Sequence, residues 1–163
     1  MGTPDFAVPS LDILVKNGFE VVGVITATDK YGGRGGKKLI ESAVKKYAVA
    51  NDLKVLQPKN LRSKKFQTEL KALNADLQIV VAFRMLPVAV WDMPPIGTIN
   101  LHGSLLPKYR GAAPLNWAVI NGDKETGATT FFLKHEIDTG DLLFTTKVEI
   151  GEDATVGEVH DEL

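Results

Sequence analysis

Short runs of β-branched and aliphatic residues alternate with stretches whose apolar residues recur at helical spacing, and this alternation restricts the fold more than any other feature. Glu20 to Ala27 (EVVGVITA) reads as a buried strand. Lys54 to Gln57 reads as a short strand closed by Pro58, and Asp76 to Ala82 (DLQIVVA) as one with an almost continuous apolar run. The helical stretches lie between and before them. Val8, Leu11, Leu14 and Val15 share one helical face, with Pro9 suited to a first turn and Gly18 just past the end. Ser42 to Asn51 forms a second helix, and Phe66, Leu70 and Leu73 mark a third. Strands that alternate with helices predict an α/β fold with mostly parallel pairing in this half.

The pattern changes after Pro94-Pro95. Thr98 to His102 is a strand, and a loop from Gly103 to Gly111 leads into a helix that opens near Pro114 and stops around Gly122. Ala128 to Leu133 and Leu142 to Ile150 are extended runs joined by a short loop, which favours antiparallel pairing. Thr155-Val156-Gly157-Glu158 has the spacing of a capping box. At the other end, Met1 to Asp5 reads as the turn between a strand and a helix. The expectation is one domain over residues 1–163, cut inside a first strand and inside a last helix.

Composition removes several function classes. The 163 residues suffice for a buried core, and 44% hydrophobic with 24% charged residues describes an ordinary globular protein rather than a disordered one. With no cysteine, thiolate catalysis, thiolate metal sites and disulfides are excluded. Nineteen basic against twenty acidic residues give a net charge of −1, which argues against nucleic-acid binding over the whole surface and leaves a local basic patch open. No apolar run has membrane-spanning length and no signal peptide is evident, so a cytoplasmic protein without membrane contact is expected.

Asn100 and His102 lie two apart on a strand, so their side chains project to one side, near the strand's C-terminal end where α/β proteins place ligands. A carboxamide beside an imidazole can donate to a developing oxyanion and handle a proton. A hydrogen-bonded structural histidine at a strand end fits the same spacing. His135 reads as a strand-end residue and His160 as a helix-surface one. Asp138, in Ile137-Asp138-Thr139-Gly140-Asp141, is either a turn residue bonded to its own backbone or a carboxylate that orients an imidazole. Asp29 to Lys38 (DKYGGRGGKK) reads as a mobile loop whose Arg34, Lys37 and Lys38 could contact backbone phosphates or be a solvated surface. No phosphate-binding glycine motif and no metal-ligand spacing of histidines is present, so no metal is expected.

Taken together, Asn100 to Pro114 (NLHGSLLPKYRGAAP) and Ile137 to Leu142 (IDTGDL) resemble the 10-formyltetrahydrofolate-dependent formyltransferases. The opening GTPDFAVPSL, the loop GRGGKK, Gln57-Pro58 and the tract YRGAAPLNWAVINGDKETGATTF extend the resemblance over essentially the whole chain, and they are most similar to the member acting on charged initiator transfer RNA. The resemblance implies a Rossmann-like α/β sandwich, parallel first and antiparallel in the second half. It implies Asn100, His102 and Asp138 as the catalytic set. Folate contacts would come from Phe83, Arg84, Met85 and Leu86, from Ser104, Leu105, Leu106 and Pro107, and from Ile137 and Asp141. The formyl donor would be 10-formyltetrahydrofolate, with no metal, and the acceptor the α-amine of methionine on initiator transfer RNA, held partly by Arg34, Lys37 and Lys38. Family members acting on glycinamide ribonucleotide or an amino-sugar nucleotide, and a non-catalytic domain that keeps the fold, are the alternatives. Three departures stand out: the strand that precedes Gly2 in the family is mostly missing, the family's separate C-terminal domain, which helps hold transfer RNA, is not matched, and Arg84 in the tract Phe83 to Pro87 stands where many relatives have a smaller residue. A monomer is expected for the full-length protein.

Overall fold

A computed structural model describes every residue except 33–35, 136, 137 and 139. The chain divides into two compact units, Met1–Ile96 and Gly97–Leu163.

In the first unit, helix α1 (Val8–Lys16) carries proline in its first turn and ends where Gly18 adopts φ 75°. The Gly18 N–H donates to the Val15 carbonyl and the Phe19 N–H to the Leu14 carbonyl, so the last helical carbonyls are satisfied by a Schellman turn. Strand β1 is only Val24–Ile25, paired in parallel with β4 (Val55–Leu56), Val24 opposite Val55 and Ile25 opposite Leu56. The longer strand expected over Glu20 to Ala27 shrinks because its partner is equally short before Pro58. Gly2 forms a parallel bridge with Val81 at the end of β5 (Leu77–Val81).

The stretch expected to be a loop from Asp29 to Lys38 is partly regular. Strands β2 (Lys30–Gly32) and β3 (Lys38–Ile40) pair antiparallel, Lys30 opposite Ile40 and Gly32 opposite Lys38. The base of this hairpin is tied down by charge. Lys45 Nζ lies 2.5 Å from Asp29 Oδ2 and 2.6 Å from Glu41 Oε1, and Gln57 Nε2 donates to Asp29 Oδ1 at 2.7 Å. These bonds, the Lys45 ammonium first, hold the Asp29 carboxyl below its ordinary range.

Ser42 caps α2 (Ala43–Ala50) by accepting from the Lys45 N–H, and Ser63 caps α3 (Lys64–Lys71) by accepting from the Phe66 N–H. Phe66 and Leu70 are one helical turn apart and both buried, packed with Ile25, Leu61 and Val90 into the core of this unit. Val90 lies on the short helix α4 (Val88–Trp91).

The Met1 N–H donates to the Ile79 carbonyl at 2.6 Å, next to the bridge between Gly2 and Val81.

The second unit is built on three antiparallel strands. β6 (Gly97–His102) pairs with β7 (Glu125–Phe132), Asn100 opposite Phe131 and His102 opposite Thr129, and β7 pairs with β8 (Leu142–Glu149). Helices α5 (Pro114–Ile120) and α6 (Val156–Glu162) bury Leu115, Ala118 and Val159 together with Ile150. Thr155 and Glu158 form the reciprocal capping box that their spacing announces. Apart from the antiparallel β2–β3 pair, the parallel pairing in the first unit and the antiparallel pairing in the second match the expected organisation.

Candidate active site

β6 delivers both of its candidate residues. Strand alternation puts Asn100 and His102 on the same side, Asn100 half-buried and His102 buried at the strand's end. His102 Nε2 lies 2.8 Å from the Tyr109 carbonyl oxygen. A carbonyl only accepts, so Nε2 carries a hydrogen, and Nδ1 is the other ring atom left for chemistry.

Nδ1 faces Asp138. Its distance to Asp138 Oδ2 is 3.8 Å, within ion-pair range and longer than a hydrogen bond, and the two side chains are only 9% and 10% exposed. The turn that the sequence left open thus brings its carboxylate to the histidine. Asp138 adopts φ 52°, a left-handed backbone that aspartate tolerates better than most residues. The Gly111 N–H donates to Asp138 Oδ2 at 2.8 Å, and Arg110 Nε donates to the Asp138 carbonyl at 3.1 Å.

The loop after β6 is held from beneath. Ser104 is fully buried, and its hydroxyl donates to the Lys108 carbonyl at 2.7 Å. Thr129, also fully buried on β7, donates to the Ser104 carbonyl at 2.6 Å and accepts from the Leu106 N–H at 3.2 Å. A Cβ on Gly127 would stand 1.9 Å from the Thr146 carbonyl oxygen and 2.7 Å from Leu105, so this strand position must be glycine for loop and β8 to approach it. Leu105 and Leu106 are half-buried and Pro107 exposed, an apolar stretch of the loop that follows His102. The Leu106–Pro107 peptide is cis.

The remaining candidates divide by unit. In Gly97–Leu163, Asp141 is exposed, with its carboxylate 2.8 Å from Lys134 Nζ, and Ile137 lies outside the described residues. In Met1–Ile96, the Arg84 guanidinium donates to the Pro58 and Lys59 carbonyls and lies 5.6 Å above the Phe83 ring. Arg84, Met85, Leu86 and Pro87, with Lys59, Asn60, Leu61 and Arg62, line a depression of about 250 Å³. Lys37 and Lys38 are exposed at the hairpin, and Arg34 lies outside the described residues. His160 sits on α6, 3.1 Å from Asp161. Sequence reasoning passed over Thr129 and over the backbone groups of Tyr109 and Gly111. No signal in residue type marks a main-chain carbonyl as the partner of a histidine.

The formyl transferase family model matches residues 1–163, and the chain belongs to that family. Two curated relatives carry the name methionyl-tRNA formyltransferase. The protein from Parabacteroides distasonis is 63% identical over 163 residues, covering 100% of this chain and 50% of its own. That from Flavobacterium johnsoniae is 60% identical, covering 100% and 51%. The chain therefore spans about half the length of these relatives. Among solved structures, phosphoribosylglycinamide formyltransferase from Bacillus halodurans superimposes with a TM-score of 0.79 over 99% of this chain and 84% of its own, at 21% identity. Glycinamide ribonucleotide transformylase 1 from Symbiobacterium toebii gives 0.80 over 99% and 76%, at 18% identity. At such identities these two report the shared Rossmann-like fold.

Proposed function

We propose that this chain is the formyl-transferring part of a methionyl-tRNA formyltransferase, moving a formyl group from 10-formyltetrahydrofolate to the α-amine of methionine on initiator transfer RNA. The observation that carries the reading is the enclosed His102–Asp138 pair, 3.8 Å apart, beside Asn100 on the same strand. The identity of about 60% over all 163 residues to proteins named methionyl-tRNA formyltransferase supports this acceptor over the small-molecule ones.

In the reaction the amine attacks the formyl carbon, the carbonyl oxygen becomes an oxyanion, and the bond to the donor nitrogen breaks as that nitrogen takes a proton. Asn100 donates its amide hydrogens to the oxyanion. His102, fixed through Nε2, presents Nδ1 to the reacting group and moves the proton from the attacking nitrogen towards the leaving one. Asp138 stabilises the imidazolium formed on the way and orients the ring. Leu105, Leu106 and Pro107, on the loop that Ser104 anchors, offer apolar contact to the donor's flat ring, and Ile137 and Asp141 are proposed to add further donor contacts. Phe83, Arg84, Met85 and Leu86 carry the corresponding proposal within their own unit. No metal is needed in this scheme. The reading places the full-length protein in the cytoplasm as a monomer. Among the described residues, no helix is long and apolar enough to cross a membrane.

Formyl label supplied on the donor should appear on the methionine amine when the full-length protein meets charged initiator transfer RNA; its absence there would overturn the reading.

Arg34, Lys37 and Lys38 are proposed to meet transfer-RNA phosphates. Replacing all three by alanine in the full-length protein should weaken binding of charged transfer RNA and flatten its salt dependence by roughly one unit of slope per lost contact. Donor affinity should stay unchanged. A salt series of binding isotherms measures both, and an unaltered slope would return these cations to plain surface.

A further inference from the structure

Three consecutive residues grip the two titratable members of the site. The Tyr109 carbonyl accepts from His102 Nε2 at 2.8 Å, Arg110 Nε donates to the Asp138 carbonyl at 3.1 Å, and the Gly111 N–H donates to Asp138 Oδ2 at 2.8 Å. For its carbonyl to reach His102, Tyr109 adopts φ 54°, a left-handed backbone that a bulky side chain keeps only when its surroundings hold it.

Those surroundings are specific. The Tyr109 ring packs on the cluster of Leu115, Ala118, Ile150 and Val159. Its hydroxyl donates to Asp123 Oδ2 at 2.9 Å and accepts from Asn121 Nδ2 at 3.0 Å. Both partners stand on the turn that ends α5. There Gly122 takes φ 69°, its N–H donates to the Val119 carbonyl, and the Asp123 N–H donates to the Ala118 carbonyl. Helix termination therefore sets where Asp123 stands, Asp123 sets the phenol, and the phenol fixes the backbone whose carbonyl meets the histidine.

We propose that Tyr109 and Asp123 are positioning residues: the phenol–carboxylate bond keeps the Tyr109 carbonyl on His102 Nε2, which holds the ring hydrogen on that nitrogen and leaves Nδ1 as the atom that exchanges a proton beside Asp138. The inference rests on the proposed role of His102, and it adds a remote anchor that touches neither donor nor acceptor. A neutral imidazole released from this carbonyl would populate both tautomers, and the one with its hydrogen on Nδ1 could not accept a proton there.

The test uses the full-length protein with the single variants Tyr109→Phe, Asp123→Ala and Asp123→Asn, the double variant Tyr109→Phe/Asp123→Ala, and His102→Gln for signal assignment. Imidazole ¹⁵N spectra at a pH where the ring is neutral read the tautomer directly, the His102 signals being assigned by their loss in His102→Gln. Tyr109→Phe keeps the ring and its packing, so it removes the anchor without opening the core. In that variant and in Asp123→Ala the His102 signals should move from the Nε2–H pattern towards a mixture. Turnover should fall about tenfold with the donor KM within about twofold, as expected when one bond orienting a reacting group is lost. Asp123→Asn, whose amide oxygen still accepts from the phenol, should keep the wild-type pattern and most of the turnover. Because all these residues act through one chain of contacts, the double variant Tyr109→Phe/Asp123→Ala should be no worse than either single one. An unchanged ¹⁵N pattern in both Tyr109→Phe and Asp123→Ala would overturn the proposal. A moved pattern with undiminished turnover would uphold the positioning and instead remove His102 from the catalytic set.

Discussion

Replacing His102 by alanine in the full-length protein should lower formyl transfer by about 10²–10³-fold while leaving donor affinity nearly unchanged, because the group removed acts on charge and protons that appear only during the reaction. The geometry supports so selective a loss. His102 closes β6, its ring is enclosed, and its Nε2 is already committed to the Tyr109 carbonyl. What the ring offers a substrate is Nδ1, which a bound but unreacted donor has little use for. Steady-state kinetics with charged initiator transfer RNA, together with equilibrium donor binding, separate the two effects. Turnover close to that of the unmodified protein would remove His102 from the mechanism.

Asp138→Asn is expected to cost about 10²-fold in turnover, with a much smaller change in the donor KM. The amide keeps the shape, and its oxygen can still accept from the Gly111 N–H that the carboxylate engages at 2.8 Å. It loses the negative charge 3.8 Å from Nδ1, which is what steadies an imidazolium in an enclosed setting. A variant that altered only the KM would make Asp138 a binding residue and leave His102 without its electrostatic partner.

The parts of this site that could be read from the sequence are those fixed by local rules. Two-residue alternation put Asn100 and His102 on one side of β6, and the capping box at Thr155 and the stop at Gly18 are short-range chemistry spelled out in residue types. The meeting of His102 with Asp138 was left open because it depends on β6, the 109–111 segment and a turn 36 positions on closing together, and spacing does not encode such closure. Less legible still was the Tyr109 carbonyl: every residue has one, and only the left-handed backbone at Tyr109 turns it towards the histidine. The β2–β3 hairpin was missed for a different reason. Its strands have three residues each, too few for an alternation to stand out among glycines and lysines.

The central claim is that this scaffold passes a formyl group to an aminoacyl amine on transfer RNA. Its most direct test sets three acceptors in competition for one labelled donor: charged initiator transfer RNA, glycinamide ribonucleotide and an amino-sugar nucleotide, each at the same concentration with the full-length protein. The account predicts label on the methionine amine of the transfer RNA and essentially none on the two small acceptors. Preferential label on either small acceptor would contradict it.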